Sequence, residues 1–359
     1  MTSSYPAGAA VLGLMSGTSL DGLDMAICTF GEHDKKYSYR ILAAETVPYP
    51  PAWKERLENA AGLPAQELML LNVQYGKFIG RLAKEFIAAH KIKVSLVSSH
   101  GHTVFHQPQS GFSTQIGCGP TIAATTGINT VYDFRTLDVA LGGQGAPLVP
   151  IGDELLFGEY EACLNLGGIA NVSLRKNDRR IAYDICVANM LLNDLAMRVN
   201  QPYDMNGDLA RKGQLIPALL DQLNENAYYS QAGAKSIGRE WFADNIETLF
   251  QHPAQIPDLL ATATEHVAVT IAGDLQKHQV KKVLVTGGGA WNSFLMERLR
   301  AHSNLDLVVP AAKIVNFKEA LIFAFLGYLR VNGLVNTLKS VTGARADSVG
   351  GSLVLAPAT

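Results

Sequence analysis

The chain has 359 residues, 48% of them hydrophobic and 17% charged, enough apolar material for two sizeable domains with cores of their own. A net charge of −2 exerts no pull toward nucleic acid or anionic lipid, so a small-molecule partner is expected instead. Cys28, Cys118, Cys163 and Cys186 lack C-x-x-C spacing, which argues against a zinc knuckle or a disulfide framework and for reduced cytosolic thiols. No basic segment precedes Lys35, and the longest apolar run, Ala320 to Leu329, is too short for a membrane span. A cytoplasmic protein with no membrane partner is the expectation.

In chain order, Ala10 to Met15 and Leu23 to Phe30 read as two strands around a Gly/Ser/Thr/Asp turn. From Pro64 to His90, Leu68, Leu71, Tyr75, Phe78, Leu82 and Phe86 fall on one helical face. Ile92 to Val97 is then a buried strand running into Ser98-Ser99-His100-Gly101-His102. Ile128 to Tyr132 is a further strand. The second half repeats the plan: Ala162 to Leu166, a turn Gly167 to Asn171, and Val172 to Arg175 make another strand-turn-strand. A helix is expected over Asp258 to His278, then a strand, Lys282 to Thr286, entering Gly287-Gly288-Gly289, and a helix from Asn292. One plan used twice implies a duplication at the scale of domains.

Three glycine-rich turns make a candidate nucleotide site, because backbone N–H groups can approach a phosphate closely where no side chain intervenes. They are Gly17-Thr18-Ser19-Leu20-Asp21-Gly22-Leu23-Asp24, then Gly167, Gly168 and Asn171, then Gly287, Gly288 and Gly289 with Asn292. None matches a P-loop or a dinucleotide fingerprint. Asp21 is placed to order Mg²⁺ through water, since that ion keeps much of its hydration. Asp24 either helps or only closes the turn.

The arrangement resembles the actin, Hsp70 and hexokinase superfamily, two related α/β domains of ribonuclease H-like fold with ATP and sugar in an interdomain cleft. More narrowly, Gly13 to Asp24, Ser99 to Thr103, Gln115 to Gly117, Asp133-Phe134-Arg135, Gly142 to Pro150, Asn165 to Asn171 and Thr342-Gly343-Ala344 resemble the anhydro-N-acetylmuramic acid kinase family. That resemblance implies an ATP- and magnesium-dependent enzyme of cell-wall recycling. It would open the 1,6-anhydro bridge of its amino sugar with water and phosphorylate O6, giving N-acetylmuramic acid 6-phosphate. A homodimer is also a family expectation. Superfamily topology implies a first domain of residues 1–141 plus 342–359 and a second of 142–341.

On the same resemblance Asp184 is the catalytic base, and a helix N-cap before Met190 to Met197 is the other reading of that residue. Ser16, Thr103, Asp133, Arg135, Asn189 and Glu319 match sugar-site positions. Arg135 suits a carboxylate such as the lactyl arm, against a surface ion pair with Asp133, and Glu319 is otherwise a first-turn acid of the following helix. The chain departs from its relatives at Ile185-Cys186-Val187, where Thr-Gly-Pro is usual, and at His102, Cys118 and Tyr132. His100 and His102 could share one metal ion if the segment is extended. An ordinary sugar or acyl kinase, or an ATP-dependent scaffold or regulator, are the alternatives. The first is set apart by a bridge that stays closed, the second by ATP consumption without sugar.

Overall fold

The first two apolar runs pair antiparallel as β1 (Ala10–Ser16) and β2 (Gly22–His33), with Ser16 opposite Leu23 and Met15 opposite Asp24. The computed structural model describes residues 5, 8–17, 20–34, 36–231, 233 and 235–357, so the loop residues Thr18 and Ser19 lie outside the described residues. After β3 (Lys36–Pro48) come α1 (Pro51–Glu58), α2 (Ala65–His90), β4 (Val94–Ser99) and a small hairpin of β5 (His102–Gln107) and β6 (Phe112–Ile116). Then follow α3 (Gly119–Thr126), β7 (Thr130–Tyr132), α4 (Thr136–Ala140) and α5 (Pro150–Leu156). The second meander is β8 (Ala162–Leu166), β9 (Ile169–Lys176) and β10 (Arg179–Val187), leading into α6 (Asn189–Met197), α7 (Pro217–Asn224), α8 (Arg239–Asn245) and α9 (Ile256–Lys277). Next are β11 (Lys282–Thr286), α10 (Ser293–Ala301), β12 (Asp306–Val308), α11 (Ala312–Val331), α12 (Lys339–Thr342) and β13 (Ser352–Val354).

Two sheets carry the fold, ordered β13-β7-β4-β1-β2-β3 and β10-β9-β8-β11-β12. In each, an antiparallel three-stranded meander is followed by two strands added in parallel beyond its first strand. Both are therefore ribonuclease H-like, the doubly used α/β plan of the actin-like fold. The first carries one extra antiparallel edge strand, β13 on β7.

The chain divides into two compact units, residues 1–156 with 317–359, and residues 157–316. The crossings fall later and earlier than the expected 141/142 and 341/342. The reason is packing: Gly152 of α5 sits against Ile322 of α11, and Lys318 Nζ and Asp153 Oδ1 form a buried ion pair at 2.7 Å. A Cβ on Gly13 of β1 would meet the Ala320 carbonyl at 1.9 Å, so α11 rides directly on the strand backbone. Leu12 and Leu14, alternating with Gly13, point to the opposite face, where α2 supplies Leu71, Tyr75 and Ile79. In the second unit α9 and α10 bury Val267, Ile271, Leu275, Leu295 and Leu299 against Leu164, Val172 and Val283 of the sheet.

Several elements differ from the sequence expectation. Ile169, Ala170 and Asn171 belong to β9, leaving a two-residue turn of Gly167 and Gly168. β10 runs on to Val187, so Asp184 lies within a strand and not at its end. The N-cap of α6 is Ala188, which rules out a capping role for Asp184. α11 joins two helical stretches across non-helical backbone at Phe317, and Glu319 lies in the first turn of the second stretch.

Two motifs far apart in sequence meet on Asp138, whose side chain is 1% exposed. Its Oδ2 accepts from Gly145 N–H at 2.8 Å and its Oδ1 from the Thr342 hydroxyl at 2.7 Å, while Gln144 N–H donates to the Thr342 carbonyl. The Gly142–Pro150 loop and the Thr342-Gly343-Ala344 motif are thus one hydrogen-bonded unit. Replacing Asp138 with Ala strands buried donors and should lower unfolding stability by about 3 kcal/mol in a urea titration.

Candidate functional site

In the first unit a line of hydroxyls leads to the end of β1. Tyr49 OH donates to Ser16 Oγ at 2.8 Å and lies 2.6 Å from Tyr75 OH, and Ser16 Oγ is 3.3 Å from His102 Nδ1. Each hydroxyl has one proton, so with Tyr49 donating to Ser16 it is Tyr75 that donates to Tyr49. Burial lowers the His102 pKa to about 4.

Arg135 does not pair with Asp133. Its Nη2 and Nε face His100 Nε2 at 2.8 and 3.3 Å, and Nη1 donates to the Gly145 carbonyl at 2.6 Å. His100 Nδ1 is 2.9 Å from the Gly101 carbonyl, which can only accept, so that nitrogen carries the proton and Nε2 is the acceptor for Arg135. Burial, then the Arg135 charge, hold His100 well below the ordinary imidazole range. Burial also lowers Arg135, to about 10, with Glu319 opposing. Glu319 itself is pushed up, by burial first, with Lys318 and Arg135 opposing and Asp24 and Asp153 adding to the rise.

Asp133 adopts a left-handed backbone, φ 55°, and turns its Oδ1 to the N–H and hydroxyl of Thr136 at the start of α4. Thr103 Oγ1 accepts from Gln115 Nε2 across the β5–β6 hairpin at 3.4 Å. Asp24 is half-buried and accepts the Thr46 hydroxyl at 2.6 Å; its pKa is raised by burial, with Thr46 opposing and Asp21 adding. Asp21 is exposed. Gly17 accepts from Leu20 N–H at 3.4 Å, closing the loop, while Leu20 and Leu23 are core side chains and Gly22 lies against the Val47 carbonyl. Leu23 pairs with Ser16 on one side and Val47 on the other, so it anchors the loop.

In the second unit the register sets Thr286, Asn165, Asn171 and Asp184 side by side across four strands, on one face. A register shift follows Asp184, where Ile185 is skipped in the pairing with β9. Asp184 N–H donates to the Lys235 carbonyl at 3.0 Å, and Asp184 Oδ2 accepts from Ile237 N–H at 2.9 Å. Residues 235–237 thus strap the edge of β10. Burial raises the Asp184 carboxyl and the Ile237 bond opposes it. Oδ1 accepts no hydrogen bond among the described residues.

The other glycine turns converge on the end of β8. Gly287, with φ 84°, brings its chain so near that a Cβ would meet Asn165 Oδ1 at 2.6 Å, and Gly289 lies against Leu166. Asn189 Nδ2 donates to the Leu166 carbonyl at 3.0 Å, and the N–H groups of Ala188, Asn189 and Met190 bind the Gly167 and Gly168 carbonyls. That leaves the Gly167 and Gly168 N–H groups without a backbone acceptor among the described residues. Asn292 caps α10, its Oδ1 accepting from Leu295 N–H at 3.0 Å.

Sequence reasoning missed Tyr49, the 235–237 strap and Tyr228, whose OH donates to the Asp184 carbonyl at 2.8 Å. Tyr75 was legible only as core. The shared metal site for His100 and His102 fails: Gly101, at φ 75°, breaks the extended alternation, and the His100 nitrogens already face Gly101 and Arg135. No group of three or more potential metal ligands occurs among the described residues. All four cysteines are free, and none of the described helices is long and apolar enough to cross a membrane.

The chain matches the family model for anhydro-N-acetylmuramic acid kinase over residues 9–356. Curated relatives of that name include one from Aliivibrio fischeri, 39% identical over 93% of this chain and 95% of the relative. Another, from Pseudomonas putida, is 36% identical over 96% and 99%. Among solved structures, (R)-2-hydroxyglutaryl-CoA dehydratase component A from Acidaminococcus fermentans matches at TM-score 0.45 and 14% identity, over 90% of this chain and 99% of that one.

In an NMR titration His102 should stay neutral to about pH 4. An unfolded imidazole takes up its proton below about 6.5, so between these values only the unfolded state binds it. Stability should accordingly fall as pH drops through that window, and His102→Gln should reduce the fall.

Proposed function

We propose, since the chain belongs to the anhydro-N-acetylmuramic acid kinase family, that it hydrolyses the 1,6-anhydro bridge of anhydro-N-acetylmuramic acid and transfers the γ-phosphoryl group of ATP to O6. The observation that carries this reading is the state of Asp184. It is half-buried and raised in pKa, with one oxygen pinned by Ile237 N–H and the other accepting no hydrogen bond among the described residues. A carboxylate so held is fixed in direction yet keeps a lone pair for a water proton.

The steps follow. Asp184 takes a proton from water as the water oxygen bonds to the anomeric carbon. The bond from that carbon to O6 breaks, and O6 takes the phosphoryl group as the bond to the β-phosphate oxygen is lost. Asn171, beside Asp184, and Asn165, one strand further on, offer amide groups to the same face. The N–H groups of Gly167 and Gly168, without a backbone acceptor among the described residues, and the turns at Gly17 and Gly287 to Gly289 are the candidate phosphate cradles. Asp21, exposed and beside Asp24, fits an ion that takes few carboxylates and keeps its water, and Mg²⁺ held there would neutralise phosphate charge. Arg135, braced by His100 and the Gly145 carbonyl, keeps the remainder of its fork for the sugar's lactyl carboxylate. Ser16, Thr103, Asp133, Asn189 and Glu319 complete the proposed sugar contacts.

Incubation with ATP, magnesium, the anhydro sugar and ¹⁸O-water tests this. Label at the anomeric oxygen together with a 6-phosphate is the expected product; a phosphorylated sugar with its bridge intact removes Asp184 as water activator. Asp184→Asn should lower kcat by about a thousandfold with the fold unchanged. Because burial raises the Asp184 carboxyl, kcat/KM should rise with pH along an acidic limb lying above the ordinary aspartate value of 3.8. Arg135→Lys should raise the KM for the sugar by about tenfold, leaving the KM for ATP alone.

A further inference from the structure

A pocket lies behind Asp184, within the second unit. Of about 180 Å³, it is lined by Ile185, Tyr229, Lys235, Thr270, Asp274 and Lys277 among others. Tyr183 reaches α9 from β10, its OH donating to Asp274 Oδ2 at 2.7 Å. Asp184, the next residue, directs its side chain to the opposite face of the strand. The pocket therefore shares β10 with the proposed base without sharing its face.

The charges in the pocket do not balance. Lys235 and the exposed Lys277 bring two ammonium groups and Asp274 one carboxylate, which also accepts from the Tyr183 hydroxyl. Lys235 Nζ donates to the Tyr228 carbonyl at 3.1 Å and lies over the Tyr228 and Tyr183 rings, 4.6 and 5.8 Å from their centres. Neither lysine forms an ion pair among the described residues. Burial holds the Lys235 amine below its ordinary range, with Asp274 opposing and Lys277 adding to the fall. Ile185 and the Tyr229 ring add apolar wall to this charged rim.

We propose that this pocket binds a small monocarboxylate with a short apolar chain, and that its occupant is felt at Asp184. The carboxylate sits between Lys235 and Lys277 and the apolar chain lies against Ile185 and Tyr229. Drawing Lys235 Nζ from the Tyr228 carbonyl pulls on residues 235–237. That strap accepts the Asp184 N–H and supplies the Ile237 N–H to the Asp184 carboxylate. The effect on Asp184 rests on the function proposed above; the binding does not.

Isobutyrate, with neutral isobutyramide as its isostere, tests the pocket by calorimetry on the full chain. Saturable isobutyrate binding with a Kd on the order of millimolar and none by isobutyramide is expected, with Lys235→Met weakening it by about tenfold. Gly273 lines the pocket, and a Cβ there would meet nothing within 4 Å. Gly273→Leu should thus fill the space and abolish binding while the melting temperature and the turnover without isobutyrate stay unchanged. Equal binding of acid and amide, no binding at all, or binding that survives Gly273→Leu would overturn the proposal. Isobutyrate should also change turnover in the parent chain but not in Gly273→Leu; an identical response in both overturns the link to Asp184. Loss of ring opening alongside intact isobutyrate binding would remove the proposed function and leave the pocket.

Discussion

The ring opening proposed for the second unit depends on one balance at Asp184. Burial drives its carboxyl toward the protonated form, and a single backbone donor, Ile237 N–H, holds it back. A fully solvated aspartate would be too weak a base near neutrality, and a fully buried one would hold its proton there. Edge strand, register shift and strap together produce the intermediate case. The strap binds β10 where an edge would otherwise present unpaired backbone groups, and so also protects the sheet.

The first unit solves a different problem, that of holding a cation beside neutral rings. Arg135 reaches His100 and the Gly145 carbonyl, and the Gly101 carbonyl fixes which imidazole nitrogen can accept. A protonated His100 would repel Arg135, so the low pKa of the ring is a condition of the guanidinium's placement. Behind it, Asp138 ties the loop that carries Gly145 to Thr342. The position of Arg135 is thus set partly by residues more than two hundred positions away in sequence.

Local pattern revealed the elements and long range hid their partners. The hairpin at the N-terminus, the helix α2 and the strand Lys282–Thr286 were legible because alternation, helical period and turn residues are properties of neighbours. The twin sheets were legible because the same succession occurs twice. Asp184 was singled out through the family resemblance, but its place inside β10 was not legible, since the skipped Ile185 and the strap fifty residues on leave no periodic trace. A surface ion pair was the alternative reading of Asp133 and Arg135; the left-handed backbone at Asp133 accompanies side chains that turn to different partners. Tyr49 and Tyr75 were hidden for a simpler reason, that an apolar ring in a core stripe says nothing of where its hydroxyl ends.

The crossings at Leu156/Phe157 and Asn316/Phe317 have a consequence for biosynthesis. Residues 157–316 leave the ribosome as one uninterrupted stretch and can assemble their whole sheet during translation. The other unit is begun first and finished last: β7 waits for β13, and the Gly13 face of β1 stays bare until Ala320 arrives. A nascent chain therefore spends nearly half its synthesis with an open apolar surface on its earlier part, and this is the interval in which chaperone capture or misassembly would act on it.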